Sequence, residues 1–218
     1  MSNDNVYERL FKQQAMIGKF VLDGTRDPNK VASILQGIID EVQTPVQKFA
    51  LLADLDIITV PRDYVHKTRL DSFMKQNRKK FYDVNNNITD ANFSNPSRIL
   101  KPGDKLWVRA FEQVVSGTTT TKERMDFCRQ QPTNHWVGAQ GNSLVFDQKR
   151  DQLPKGKWYE SFDEEDRLWE DTHGYRRVSY LDAYSDGDFD WYLGHFGPPW
   201  NVSLAFFCFC DPPQTLVA

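Results

Sequence analysis

The sequence offers little that would assign it to a specialised class. Three cysteines, Cys128, Cys208 and Cys210, are too few and too irregularly spaced for the disulfide framework of a small secreted scaffold. No run approaches the roughly 18 apolar residues that crossing a bilayer takes. The 12 glycines and 11 prolines follow no collagen-like period. A net charge of −3 gives no overall basic field of the kind that coats nucleic acid or an anionic membrane. The opening MSNDNVYERLFKQQ lacks the basic-then-apolar pattern of a secretory signal, so the expectation is a cytoplasmic protein with no membrane partner. What is present suffices for a sizeable core: 218 residues, of which 39% are apolar and 13% aromatic. Charge is unevenly placed. Between residues 160 and 190, eleven acids face only Arg167, Arg176 and Arg177, a local charge of −8.

Periodicity predicts two amphipathic helices at the start. Val6, Leu10, Ile17 and Val21 form one stripe that ends at Asp23-Gly24. Asp27 as N-cap and Pro28 open a second helix, with Val31, Ile34, Leu35, Ile38, Ile39 and Val42 on one face and Thr44-Pro45 as the stop. Together they predict a helical hairpin. Phe49–Leu55 reads as a third short helix, Asp56–Pro61 as a strand, and about 67–80 as a polar helix. Asparagine-rich turn chemistry over 83–104 marks a connecting loop. The organisation expected is therefore a helical region over 1–82, the loop, and a β-rich region over 105–218. Lys105–Val115 reads as a strand, and the Thr120-x-x-Glu123 capping box predicts a helix over 121–130. Segments near 136–138, 143–146, 157–159, 177–181, 189–193 and 204–209 read as strands. The last, LAFFCF, is apolar on both faces and should be a covered central strand. The fold class expected is α+β: an N-terminal helical hairpin followed by a mostly antiparallel, aromatic-rich sheet.

No motif of recognised catalytic chemistry is present. Asp186, Asp188 and Asp190 alternate as hard oxygen ligands do in a calcium loop, making a divalent-cation site the alternative to a plain hairpin turn. The loop departs from the EF-hand, with Trp191 where glycine belongs and Gly197 where the closing glutamate belongs. Ser161 and Glu164 have capping-box spacing, and Glu160 with Asp163 is a carboxylate pair of the kind glycoside hydrolysis uses. Lys75, Arg78, Lys79 and Lys80, flanked by Phe73, Phe81 and Tyr82, would suit phosphates with stacking rings. Cys128 and His135 supply nucleophile and base types, whereas Cys208 and Cys210, two apart in a strand, read as buried apolar groups. Trp191 and Trp200, in the aromatic stretch around Gly197-Pro198-Pro199, are the candidates for an exposed binding surface, with Asp188 and Asp190 beside them.

The downstream half, about 136–211, resembles a group of uncharacterised bacterial proteins. The resemblance is carried by Gly138 to Gly141, Trp169 with Gly174 to Val178, Asp188 to Leu193, and Trp200 to Phe209. It implies no activity. The closing Trp-loop-strand is also similar to lectin-like binding folds, without their cysteine pairs or calcium ligands. The leading reading is a non-enzymatic binding or protein-interaction protein that needs no cofactor and uses its aromatic, acidic C-terminal half to hold another protein. The alternatives are a metal-dependent or carboxylate hydrolase on Asp186, Asp188 and Asp190 with His173 or His195 nearby, and nucleic-acid binding through Lys75, Arg78, Lys79 and Lys80.

Overall fold

A computed structural model describes residues 15–19, 21–25, 27–43 and 47–213. The chain divides into two compact units, Met1–Val46 and Gln47–Ala218. In the first, residues 15–19 and 21–22 are helical, and α1 spans Pro28–Gln43. Asp27 caps α1 as expected, its Oδ1 accepting the Asn29 N–H at 2.8 Å. The start of the first expected helix, residues 6–14, and the Thr44-Pro45 stop lie outside the described residues. Among the described residues no helix is long and apolar enough to cross a membrane.

The second unit is a mixed α+β structure. Its strands are β1 (Phe49–Thr59), β2 (Asp83–Val84), β3 (Lys105–Gln113), β4 (Lys157–Ser161), β5 (Trp169–Glu170), β6 (Arg176–Ala183), β7 (Phe189–His195) and β8 (Leu204–Cys210). They form one eight-stranded sheet in the order β1-β3-β8-β4-β6-β7-β2, with β5 pairing β6 beyond the end of β4. β4 runs parallel to β8 and β2 parallel to β7, and the other pairs are antiparallel. The helices are α2 (Arg69–Asn77), α3 (Thr121–Gln130) and α4 (Gly138–Lys149).

Three expectations of secondary structure are corrected, the first being that residues 136–138 form no strand and instead lead into α4, which begins at Gly138. Phe49–Leu55 is not a helix but the first part of the single strand β1, which pairs along its length with β3. Alanine and leucine favour helix locally, and the sheet partner overrides them. Residues 143–146 are not a strand but the middle of α4, in which every residue from Gly138 to Phe146 is buried. A helix covered on all sides carries no 3.6-residue stripe, so periodicity could not separate it from a buried strand. The α3 capping box is present as read: Thr120 Oγ1 accepts the Glu123 N–H at 3.2 Å, and the Glu123 carboxylate accepts the Thr120 N–H at 2.7 Å. The second capping box is absent. Ser161 ends β4, and its hydroxyl donates to the Gly138 carbonyl at 2.7 Å.

β8 is the covered central strand, all seven residues buried. Ala205, Phe207 and Phe209 join Tyr159, Leu181, Phe189 and Trp191 in a core closed by Leu144, Val145 and Phe146 of α4 and by Leu70 and Phe73 of α2. Phe206, Cys208 and Cys210 point to the other face, where Phe49, Phe111 and the α3 residues Met125 and Cys128 make a smaller core. The 83–104 segment is fastened to this body. Ile88, Phe93 and Leu100 are buried, and Asp90 accepts the Leu70 and Asp71 N–H groups at the start of α2, each at 3.0 Å.

Candidate functional site

Strand register decides what α3 leaves uncovered on its side of the sheet. Trp158 of β4 pairs with Asp182 of β6, Glu160 with Tyr180, Tyr180 with Tyr192 of β7, and Asp182 with Asp190. Asp83 of β2 pairs with Asp190. Because paired residues share a face and alternate along each strand, these side chains form one surface. Trp158 and Tyr180 stack at 5.7 Å, and Tyr192 lies 6.1 Å from Tyr180. All three rings are half-buried, presenting part of their area to solvent. Trp200 extends the row. It lies over Gly194 so closely that a β-carbon there would sit 3.0 Å from the indole, and its Nε1–H donates to Thr121 Oγ1 at 3.2 Å.

The carboxylates lie among and beneath the rings. Asp190, 1% exposed, accepts the Asp83 N–H at 2.6 Å and the Tyr184 hydroxyl at 2.6 Å. Tyr192 donates to Asp83 at 2.7 Å, which holds the Asp83 carboxyl below its usual range and the Tyr192 hydroxyl above its own. Asp182, 6% exposed, stands directly across from Asp190. Burial and then the Asp190 charge push its pKa up to about 6, with neighbouring Trp158 and Tyr184 lowering it in part. Among the described residues no ion pair reaches Asp182 or Asp190, so this like-charged pair has no cation of its own.

The raised Asp182 carboxyl has a stability consequence of definite sign. Between the unfolded value near 4 and the folded value of about 6, the native state holds a proton that the unfolded chain has lost, so stability falls as pH rises through this window. Asp182→Asn keeps the shape of the side chain without the charge. Thermal melts should show the variant more stable by roughly 2 kcal/mol at pH 7.5 and equal to wild type at pH 3.5. Equal midpoints at both pH values would reject the strained carboxylate.

The structure separates residues that sequence placed together. Trp191 is fully buried, its ring 5.3 Å from Phe73 and its Nε1–H donating to Ser179 at 2.7 Å. It therefore contributes to the core and not to a surface, because it shares strand parity with Phe189 and opposes Asp190. Asp186 and Asp188 are exposed in the β6–β7 turn, where Asp186 accepts the Asp188 N–H at 3.1 Å, while Asp190 is committed to Asp83 and Tyr184. The three carboxylates splay, and among the described residues no group of three or more His, Cys, Asp or Glu side chains is placed to hold a metal ion. His195 stands at the far end of β7, about 17 Å from Asp190 at strand rise, and packs on Tyr175.

Lys75 and Lys79 are exposed on and just after α2, Arg78 reaches Asp83 at 3.4 Å, and Lys80 donates to Asn77 at 2.7 Å. Of the rings flanking them, Phe73 and Phe81 are in the core, and only Tyr82 is exposed. Glu160 is enclosed against Arg124, and Asp163 accepts the Ser97 N–H at 3.0 Å. Cys128 lies against Cys208, whereas His135 pairs with Asp211 at 2.6 Å. Sequence reasoning missed Trp158, Tyr180, Tyr192 and Asp182. The alternation of 189–193 was a visible signal that Asp190 and Tyr192 share a face opposite Trp191. No protein-family model matches this chain, and no curated protein or solved structure matches it either.

Proposed function

We propose that this chain is a cytoplasmic, non-enzymatic binding protein that takes a basic segment of another protein on the face formed by Trp158, Tyr180, Tyr192 and Trp200. The observation that carries the reading is the cross-strand pair Asp182 and Asp190, lying among partly exposed rings with no cation among the described residues. Like charges directly opposite one another in a sheet are unfavourable, and a lysine or arginine seated on the rings above relieves them through space, without the direct contact that burial denies. The same cation gains from the ring faces, whose quadrupoles attract positive charge. Exposed Asp186 and Asp188 at the adjoining turn add to the steering field.

The hydrolase reading is less well supported. A carboxylate that works as base or nucleophile must reach water or substrate, yet Asp190 is buried with Asp83 N–H and Tyr184 Oη already bound to its two oxygens. Calorimetric titration with an unstructured Lys/Arg-rich peptide, against an acidic peptide of equal length, tests the proposal. Saturable binding of the basic peptide is expected, at least ten-fold weaker for Tyr180→Ala and for Asp182→Asn. Affinity should fall with added salt, and at pH 5 as Asp182 takes up a proton. No heat at low salt, or equal binding of both peptides, rejects it.

A further inference from the structure

Cys128, in the last turns of α3, and Cys208, at the middle of β8, are 80 positions apart in sequence and fully buried against one another. Their sulfur atoms are 3.0 Å apart. Both are free thiols in the structure. Cys210 shares their side of the sheet, but its sulfur accepts from Arg109 Nη2 at 3.6 Å. We propose that Cys128 and Cys208 are a modification site: a low-molecular-weight disulfide oxidises them to one intramolecular disulfide that ties α3 to the central strand, leaving Cys210 reduced.

The chemistry balances as two thiol–disulfide exchanges. One cysteine thiolate attacks the small disulfide, forming a mixed disulfide and releasing one small thiol; the other cysteine attacks that bond and releases the second. Two protein S–H bonds are lost, one protein S–S bond forms, and the two electrons and two protons leave on the small thiols. The second step closes the sulfur separation from 3.0 Å to the roughly 2.05 Å of a disulfide bond. The first step is the slow one, because burial raises the Cys128 thiol well above its usual range and hides it from a reagent. Oxidation should therefore require α3 to lift, and should accelerate in sub-denaturing urea. In a reducing compartment the bond would form during oxidative exposure and be reversed afterwards.

The test uses the full chain, incubated with oxidised glutathione, then unfolded and alkylated with iodoacetamide. Intact mass should show one alkylated cysteine instead of three, and tryptic mapping should join the α3 peptide to the β8 peptide. Cys210→Ser should retain the link, and Cys208→Ser should abolish it. The oxidised protein should melt roughly 10 °C higher, as expected for closing so long a loop, with reversal by reductant. Three alkylated cysteines, a persistent glutathione adduct, or a link through Cys210 would each overturn the proposal. Because Cys208 and Cys210 fall in one tryptic peptide, fragmentation of the linked wild-type peptides decides which of the two is joined to Cys128 even where a variant fails to fold.

Discussion

Arg124→Met is expected to destabilise the protein by about 3–5 kcal/mol, read as a fall in the urea midpoint. Arg124 and Glu160 are both fully buried, joined at 3.1 Å from Nη1 to Oε2. Arg124 Nη2 also donates to the Thr119 hydroxyl at 3.0 Å, and that hydroxyl donates to Gln113 Oε1 at 2.8 Å, fastening α3 to the end of β3. The pair is imperfectly satisfied, since Glu160 Oε1 and Arg124 Nε have no hydrogen-bond partner among the described residues. Burial drives the Glu160 carboxyl upward and Arg124 holds it down. Without the arginine the carboxyl must take up a proton to remain inside. The deficit of the variant should therefore be smaller at pH 4.5 than at pH 8, because the cost of a raised carboxyl develops as pH climbs past its unfolded value. Arg124→Met with Glu160→Gln should recover most of the loss, whereas additive losses would show that the guanidinium acts through packing alone.

That network also shows how far the sequence could be read. The Thr120–Glu123 capping box and the apolar LAFFCF strand are local signals, and both appear where expected, since a cap needs only its own turn and a central strand only its composition. The pairing of Arg124 with Glu160 is not local. It arises because β4 lies parallel to β8 and so brings residue 160 under α3, a neighbour relation no periodicity reports. The candidate face has the same mixed character. Strand β7 and its alternation were legible, and taken to their end they put Trp191 with Phe189 on one face of the sheet and Asp190 with Tyr192 on the other. Which residue of β6 stands across from Asp190 depends on the register fixed by the Tyr184–Asp188 turn, and that is where Asp182 enters. Likewise Phe49–Leu55 follows helix propensity until β3 supplies a ladder of partners.

Gly138→Ala should cost more than about 4 kcal/mol, or prevent folding, because two separate penalties fall on one atom. Gly138 opens α4 at φ +46°, a conformation that costs an L side chain roughly 1–2 kcal/mol. Its missing β-carbon would also lie 1.8 Å from Asp163 Oδ2 and 2.6 Å from Asp163 Cγ. Asp163 cannot swing aside freely, since its other oxygen accepts the Ser97 N–H at 3.0 Å and the residue is buried. Gly187 separates the two penalties. It sits at φ +103° in the β6–β7 turn, where an added β-carbon would meet nothing within 4 Å, so Gly187→Ala should show a backbone cost alone, roughly 1–3 kcal/mol. Adding Asp163→Ala to Gly138→Ala should return the steric share while leaving the Ser97 N–H unpaired. Denaturant titration of the four proteins resolves the shares. Similar losses for Gly138→Ala and Gly187→Ala would mean that Asp163 yields, and that α4 is positioned against the back of β4 and β6 by its apolar side chains and not by the close approach at its first residue.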